Sequence, residues 1–211
     1  MGEARKLRGT DPALRQWCSL VAWLGTCVTC GCTGSIQALD TDDARNRDQA
    51  QPVQTPAAVE PAELAGITDA HNRVRRSTGA PPLRWSAALA ETARRWANAC
   101  VDVEEPRGMI DHSPRRDAGY QEPIGENIWA TTAPRIDPVA AVDDWASEVA
   151  YYDRANNTCV GGACGHYTQL IWSATREVGC GVGSCPRLRF KTTLVCDYAP
   201  AGNIIGERPS P

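Results

Sequence analysis

An even set of six cysteines, Cys100, Cys159, Cys164, Cys180, Cys185 and Cys196, constrains this chain more than any other feature. Four further cysteines, Cys18, Cys27, Cys30 and Cys32, lie upstream in a segment with the marks of an export signal. In an oxidising compartment the six act as structural cross-links that staple a compact domain. The sequence does not by itself choose among the possible pairings. Cys159/Cys164 and Cys180/Cys185 share a spacing that zinc ribbons also use, but export favours bridges over zinc.

The export reading rests on the first 34 residues. Arg5, Lys6, Arg8 and Arg15 precede an uncharged stretch, Trp17 to Leu39, whose apolar heart is Trp17 to Val28. That heart matches a signal-peptide core and is short for a membrane span. Small residues follow, Thr29, Gly31, Thr33, Gly34 and Ser35. Three fates are open: cleavage and secretion, acylation of Cys32 or Cys27 as a cell-envelope lipoprotein, or a retained helix. The protein is thus expected outside the cell or on its envelope, touching membrane only through such an N-terminal anchor. Residues 35–61 change character: Asp, Arg, Gln, Pro and Ala dominate and aromatics are absent, so the segment reads as a disordered linker. Residues 62–209 then form one domain, large enough for a real core. The net charge of −3 gives no support for a nucleic-acid partner, and the short arginine groups read as solvated faces.

Within the domain, Glu63 to Ser77 reads as a helix carrying Leu64, Ile67, Ala70 and Val74 at helical spacing. Leu89, Ala93, Trp96, Ala97 and Cys100 recur at the same spacing behind a Ser86 cap and predict a second helix. Val101 to Pro123 is irregular. Pro138 to Tyr151 predicts a third helix with Val139, Val142, Trp145 and Val149 as its apolar stripe. Strand-like runs are Asn127–Ala130, Tyr167–Trp172, Val178–Val182 and Leu188–Tyr198, with short loops joining the last three into an expected antiparallel meander. Trp85, Trp96, Trp129, Trp145 and Trp172 sit beside apolar positions and are expected in the core.

Two motifs carry the chemistry. Gly165-His166-Tyr167-Thr168-Gln169-Leu170-Ile171-Trp172 and Cys196-Asp197-Tyr198-Ala199-Pro200-Ala201-Gly202-Asn203 resemble, in order, signatures of the CAP superfamily. That superfamily contains the cysteine-rich secretory proteins, antigen 5 and pathogenesis-related 1 proteins. His71-Asn72-Arg73-Val74-Arg75 and Leu83-Arg84-Trp85-Ser86 resemble its opening segments. The resemblance runs from about Glu63 to Pro209 and suggests a bacterial-type secreted or lipoprotein member. It implies an α+β fold, a three-layer α-β-α sandwich with a small antiparallel sheet between helices. It also implies the pairs Cys100–Cys185, Cys159–Cys164 and Cys180–Cys196.

The resemblance further implies a central cleft lined by His112, His166, Glu126 and Glu148. His112 and His166 would be ligands to a divalent metal, with Zn²⁺ first in line. The carboxylates of Glu126 and Glu148 would hold water or orient an imidazole through its second nitrogen. Two protein ligands leave such a site open and weak. Three functions compete: a ligand-binding or signalling module for an extracellular lipid, glycan or peptide; a metal-dependent peptidase or hydrolase; and a disulfide-stable scaffold. No His-Glu-x-x-His helix supports the hydrolase and no catalytic residue is assigned. No Gly-x-Ser-x-Gly elbow surrounds Ser113. His71 reads as a structural hydrogen-bonder, Asn156-Asn157-Thr158 fits a glycosylation sequon, and a monomer is expected.

Overall fold

The computed structural model describes residues 59–105, 107–114 and 123–209. The expected export segment, and the linker up to residue 58, lie outside the described residues. Among the described residues four α-helices, α1 (Ile67–Thr78), α2 (Ala87–Ala99), α3 (Pro138–Ser147) and α4 (Gly165–Leu170), surround a four-stranded sheet. Its strands are β1 (Arg84–Trp85), β2 (Gly125–Thr131), β5 (Glu177–Ser184) and β6 (Thr192–Ala199), in the order β1-β5-β6-β2. A separate hairpin pairs β3 (Tyr152–Asp153) with β4 (Thr158–Cys159).

The strand period of two sorts side chains into three layers. Leu194, Cys196 and Tyr198 of β6 pack with Val178 and Cys180 of β5 under α1, α3 and α4. Val195 of β6 and Ile128 of β2 face the other way, against Ala93 and Ala97 of α2. On that same face β5 carries glycine at three successive positions after Glu177: a Cβ at Gly179, Gly181 or Gly183 would lie 2.1–2.4 Å from backbone atoms of Ser86, Ala90, Arg94 or Ala97. Helix α2 therefore lies backbone-to-backbone on the sheet. This is the α-β-α sandwich, held by disulfides Cys100–Cys185, Cys159–Cys164 and Cys180–Cys196.

Several expected elements take a different form. Tyr167–Trp172 is not a strand; Gly165–Leu170 is helix α4, with its first amides capped by a distant carboxylate described below. The expected meander is a β5–β6 hairpin, with β2 pairing antiparallel to the far side of β6. The two-residue edge strand β1 pairs parallel to β5. The first helix is split: a 3₁₀ turn, Ala62–Leu64, is separated from α1 by Ala65 and by Gly66, whose φ of +87° breaks the helical path. Glu60, at the end of the expected linker, accepts from the amides of Gly66 (2.8 Å) and Thr68 (2.7 Å), so it caps α1. Helix α3 stops at Ser147 and tightens into a 3₁₀ turn, Glu148–Tyr151, which leaves Val149 exposed outside the apolar stripe. Of the five domain tryptophans Trp145 and Trp172 are buried, and Trp85, Trp96 and Trp129 are half-buried.

Candidate functional site

Each expected histidine meets an expected glutamate. His112 Nδ1 lies 2.6 Å from Glu126 Oε1, and His166 Nδ1 lies 2.6 Å from Glu148 Oε1. A carboxylate accepts, so in the neutral imidazoles the proton sits on Nδ1 and Nε2 keeps its lone pair. Side-chain exposure separates the roles: 53% and 33% for His112 and His166, against 1% and 16% for Glu126 and Glu148. The imidazoles reach solvent and the carboxylates stand behind them.

Local structure explains each position. Glu126 lies in β2, and its Oε1 also accepts from the Ser113 amide at 3.0 Å, which ties down the irregular segment bearing His112. Its Oε2 is buried and has no hydrogen-bond partner among the described residues. Glu148 begins the 3₁₀ turn after α3, and its Oε2 accepts from the amides of His166 (2.9 Å) and Tyr167 (3.2 Å). One carboxylate thus caps α4 with one oxygen and orients the His166 ring with the other. The indole of Trp145 stacks on that ring, with centroids 6.0 Å apart and planes at 23°.

The two pairs meet β2 at successive residues: Glu126 pairs with His112, and Asn127 donates to the His166 carbonyl at 3.2 Å. Strand β2 is one of the two outer strands of the sheet. Among the described residues no three or more His, Cys, Asp or Glu side chains cluster as a metal cage would require. The set is two oriented imidazoles, each backed by a carboxylate.

Two further features escaped the sequence reading. Gln169 is buried, accepts from the Gly202 amide at 3.0 Å, and so joins both motifs. A cavity of about 210 Å³ lies beside the Cys159–Cys164 bridge, lined by Thr168, Trp172, Asn203 and Ile204 among others.

Comparison with known proteins shows the family and the fold. Residues 68–198 match the model of the CAP (cysteine-rich secretory protein) family. GLIPR1-like protein 1 of Homo sapiens is 35% identical over 73% of this chain, and the chain spans only 65% of that relative's length. The basic form of pathogenesis-related protein 1 of Nicotiana tabacum is 38% identical over 66% of the chain and 71% of its own. Among solved structures, venom allergen-like protein 4 of Schistosoma mansoni shares 28% identity with a TM-score of 0.53, covering 72% of this chain and 96% of that one. NaASP2, solved with Zn²⁺, has the same fold at 24% identity and a TM-score of 0.54, covering 71% and 86%.

Proposed function

The chain belongs to the CAP family of cysteine-rich secretory proteins, and from that premise we propose that it is an exported ligand-binding module with a divalent-metal cleft at His112 and His166. The observation that carries this reading is the tautomer set by the two carboxylates. Glu126 and Glu148 accept hydrogen bonds from the Nδ1–H groups at 2.6 Å, so each Nε2 keeps the lone pair with which an imidazole ligates a metal. Carboxylate-backed imidazole is the arrangement that raises a histidine's basicity as a metal ligand.

The donor set fits a borderline-soft ion such as Zn²⁺, and the relative solved with Zn²⁺ supports that choice. With two protein ligands, the remaining positions would go to water or to an oxygen-bearing group of a ligand. A bound ion would supply a Lewis-acidic anchor there. His112 and His166 would hold it, and Glu126 and Glu148 would hold them. The ligand classes in view remain lipid, glycan and peptide. Export is supported by the family's secretory character and by the three bridges.

Neither glutamate is presented as a solvent-facing base, since Glu126 is buried and both Glu148 oxygens already accept hydrogen bonds. The peptidase alternative therefore gains no observation of its own. The test uses purified chain against lipid extracts, glycan pools and a fluorogenic peptide library, each with and without chelator. The account expects retention of a ligand that chelator lowers and zinc restores, without peptide turnover. Turnover abolished by chelator would replace the binding reading with the hydrolase.

A further inference from the structure

A buried hydrogen-bond chain leads from helix α1 to the metal-binding candidate His166. His71 Nδ1 lies 2.8 Å from the Ile67 carbonyl, and its Nε2 lies 2.8 Å from the Tyr198 hydroxyl. Asn127 Nδ2 lies 3.3 Å from that hydroxyl and 3.2 Å from the His166 carbonyl. His71, Tyr198 and Asn127 are each within 1% of full burial, so water does not compete for these bonds.

The direction of every bond follows from its ends. Carbonyl oxygens only accept, so His71 Nδ1 carries the hydrogen that goes to Ile67. The buried imidazole is neutral, so Nε2 must accept, and the Tyr198 O–H donates to it. The Tyr198 oxygen then accepts one N–H of Asn127, and the other N–H of Asn127 goes to His166. Only this arrangement satisfies all four groups. A second path joins the same two histidines through rings: His71 meets the edge of Trp145 (6.2 Å, 62°), and Trp145 stacks on His166.

We propose that His71, Tyr198 and Asn127 are positioning residues for His166, holding its backbone from below so that its ring stays between Glu148 and Trp145 with Nε2 outward. This rests on the reading of His166 as a metal ligand. Without the Asn127 bond, Glu148 supplies the remaining side-chain hydrogen bonds to His166 among the described residues, from one side. The three residues come from α1, β6 and β2, so the layers of the sandwich are coupled to one ring.

The test compares the wild-type chain with Tyr198→Phe, which removes the hydroxyl and keeps the ring, and with Asn127→Ala. Amide hydrogen exchange is followed by NMR in metal-free protein, and zinc affinity by calorimetry. Both variants should exchange the His166 and Tyr167 amides about fivefold faster relative to α2 amides, and bind zinc about fivefold more weakly, as one lost neutral hydrogen bond predicts. Unchanged exchange at those amides, acceleration matched throughout α2, or local acceleration with wild-type zinc affinity would each overturn the proposal. Local acceleration in a chain whose wild type does not bind zinc would support the hydrogen-bond chain and remove His166's role as ligand, so the two readings fail separately.

Discussion

The Gln169 carboxamide fills the space that a side chain at Gly125 would need: a Cβ there would lie 2.1 Å from Gln169 Oε1. The same carboxamide accepts from the Gly202 amide. Gly125 directly precedes Glu126, and Gln169 is one turn beyond His166, so this close approach sets how the two halves of the candidate cleft meet.

Gly125→Ala should therefore destabilise the domain by about 1–3 kcal/mol, the usual cost of overpacking. Thermal unfolding measures it. The Gln169→Ala partner change should relieve part of the loss, and a Gly125→Ala variant as stable as wild type would show that the contact is soft.

Arg75 is fully buried, and its guanidinium donates to the carbonyls of Pro81 (2.6 Å), Leu170 (2.7 Å), Trp172 (3.0 Å) and Thr175 (3.0 Å). A lysine ammonium cannot span that fan of acceptors. Arg75→Lys and Arg75→Met should each lower stability by about 3–5 kcal/mol in urea titration, through carbonyls left without donors. A loss under about 1 kcal/mol would mean that α4 and its following loop do not depend on this residue.

Burial, aided by the nearby Arg75 charge, pushes the His71 imidazole down to about 4 from its ordinary 6.5. Above pH 6.5 the group is neutral in folded and unfolded chains alike. Between 6.5 and 4 the unfolded chain takes up the proton first, so stability falls with pH by about 3 kcal/mol and levels off below. Stability against pH should show this slope in wild type, and His71→Gln should flatten it. An equal slope in both would place the acid sensitivity elsewhere.

The disulfides should differ in weight. Cys100–Cys185 spans a sequence separation of 85 and Cys159–Cys164 one of 5. In the chain-entropy model they contribute about 4–5 and about 2 kcal/mol. Removing each pair as a double alanine variant and comparing urea midpoints tests the order; the reverse order would contradict it.

How much was legible follows from where each signal resides. Helix α2 was readable because its stripe and its cap are local: Ser86 accepts from the Leu89 amide, and Leu89, Ala93 and Ala97 are buried. The pairing of His112 with Glu126 and of His166 with Glu148 matches residues that the family resemblance grouped together. Helix α4 was misread because its composition, with tyrosine, threonine, isoleucine and tryptophan nearby, favours strand. Its first amides are held by Glu148, eighteen positions earlier, a partner that local composition does not show. The cap from Glu60 was hidden for a similar reason, since it lies in a stretch whose composition reads as linker. The glycine face of β5 was visible at period two, yet only α2 lying against it gives those glycines a reason.

The most direct measurement is a calorimetric zinc titration of wild type, His166→Ala and Glu148→Gln, with circular dichroism confirming the fold of each. The account predicts one ion per wild-type chain at about micromolar affinity or weaker, lost on acidification because only neutral imidazole ligates. It predicts no binding for His166→Ala, and weakened binding for Glu148→Gln as the ring loses its carboxylate. Equal zinc binding by wild type and His166→Ala, or none by folded wild type, would contradict the metal cleft and leave the two pairs as structural hydrogen bonds.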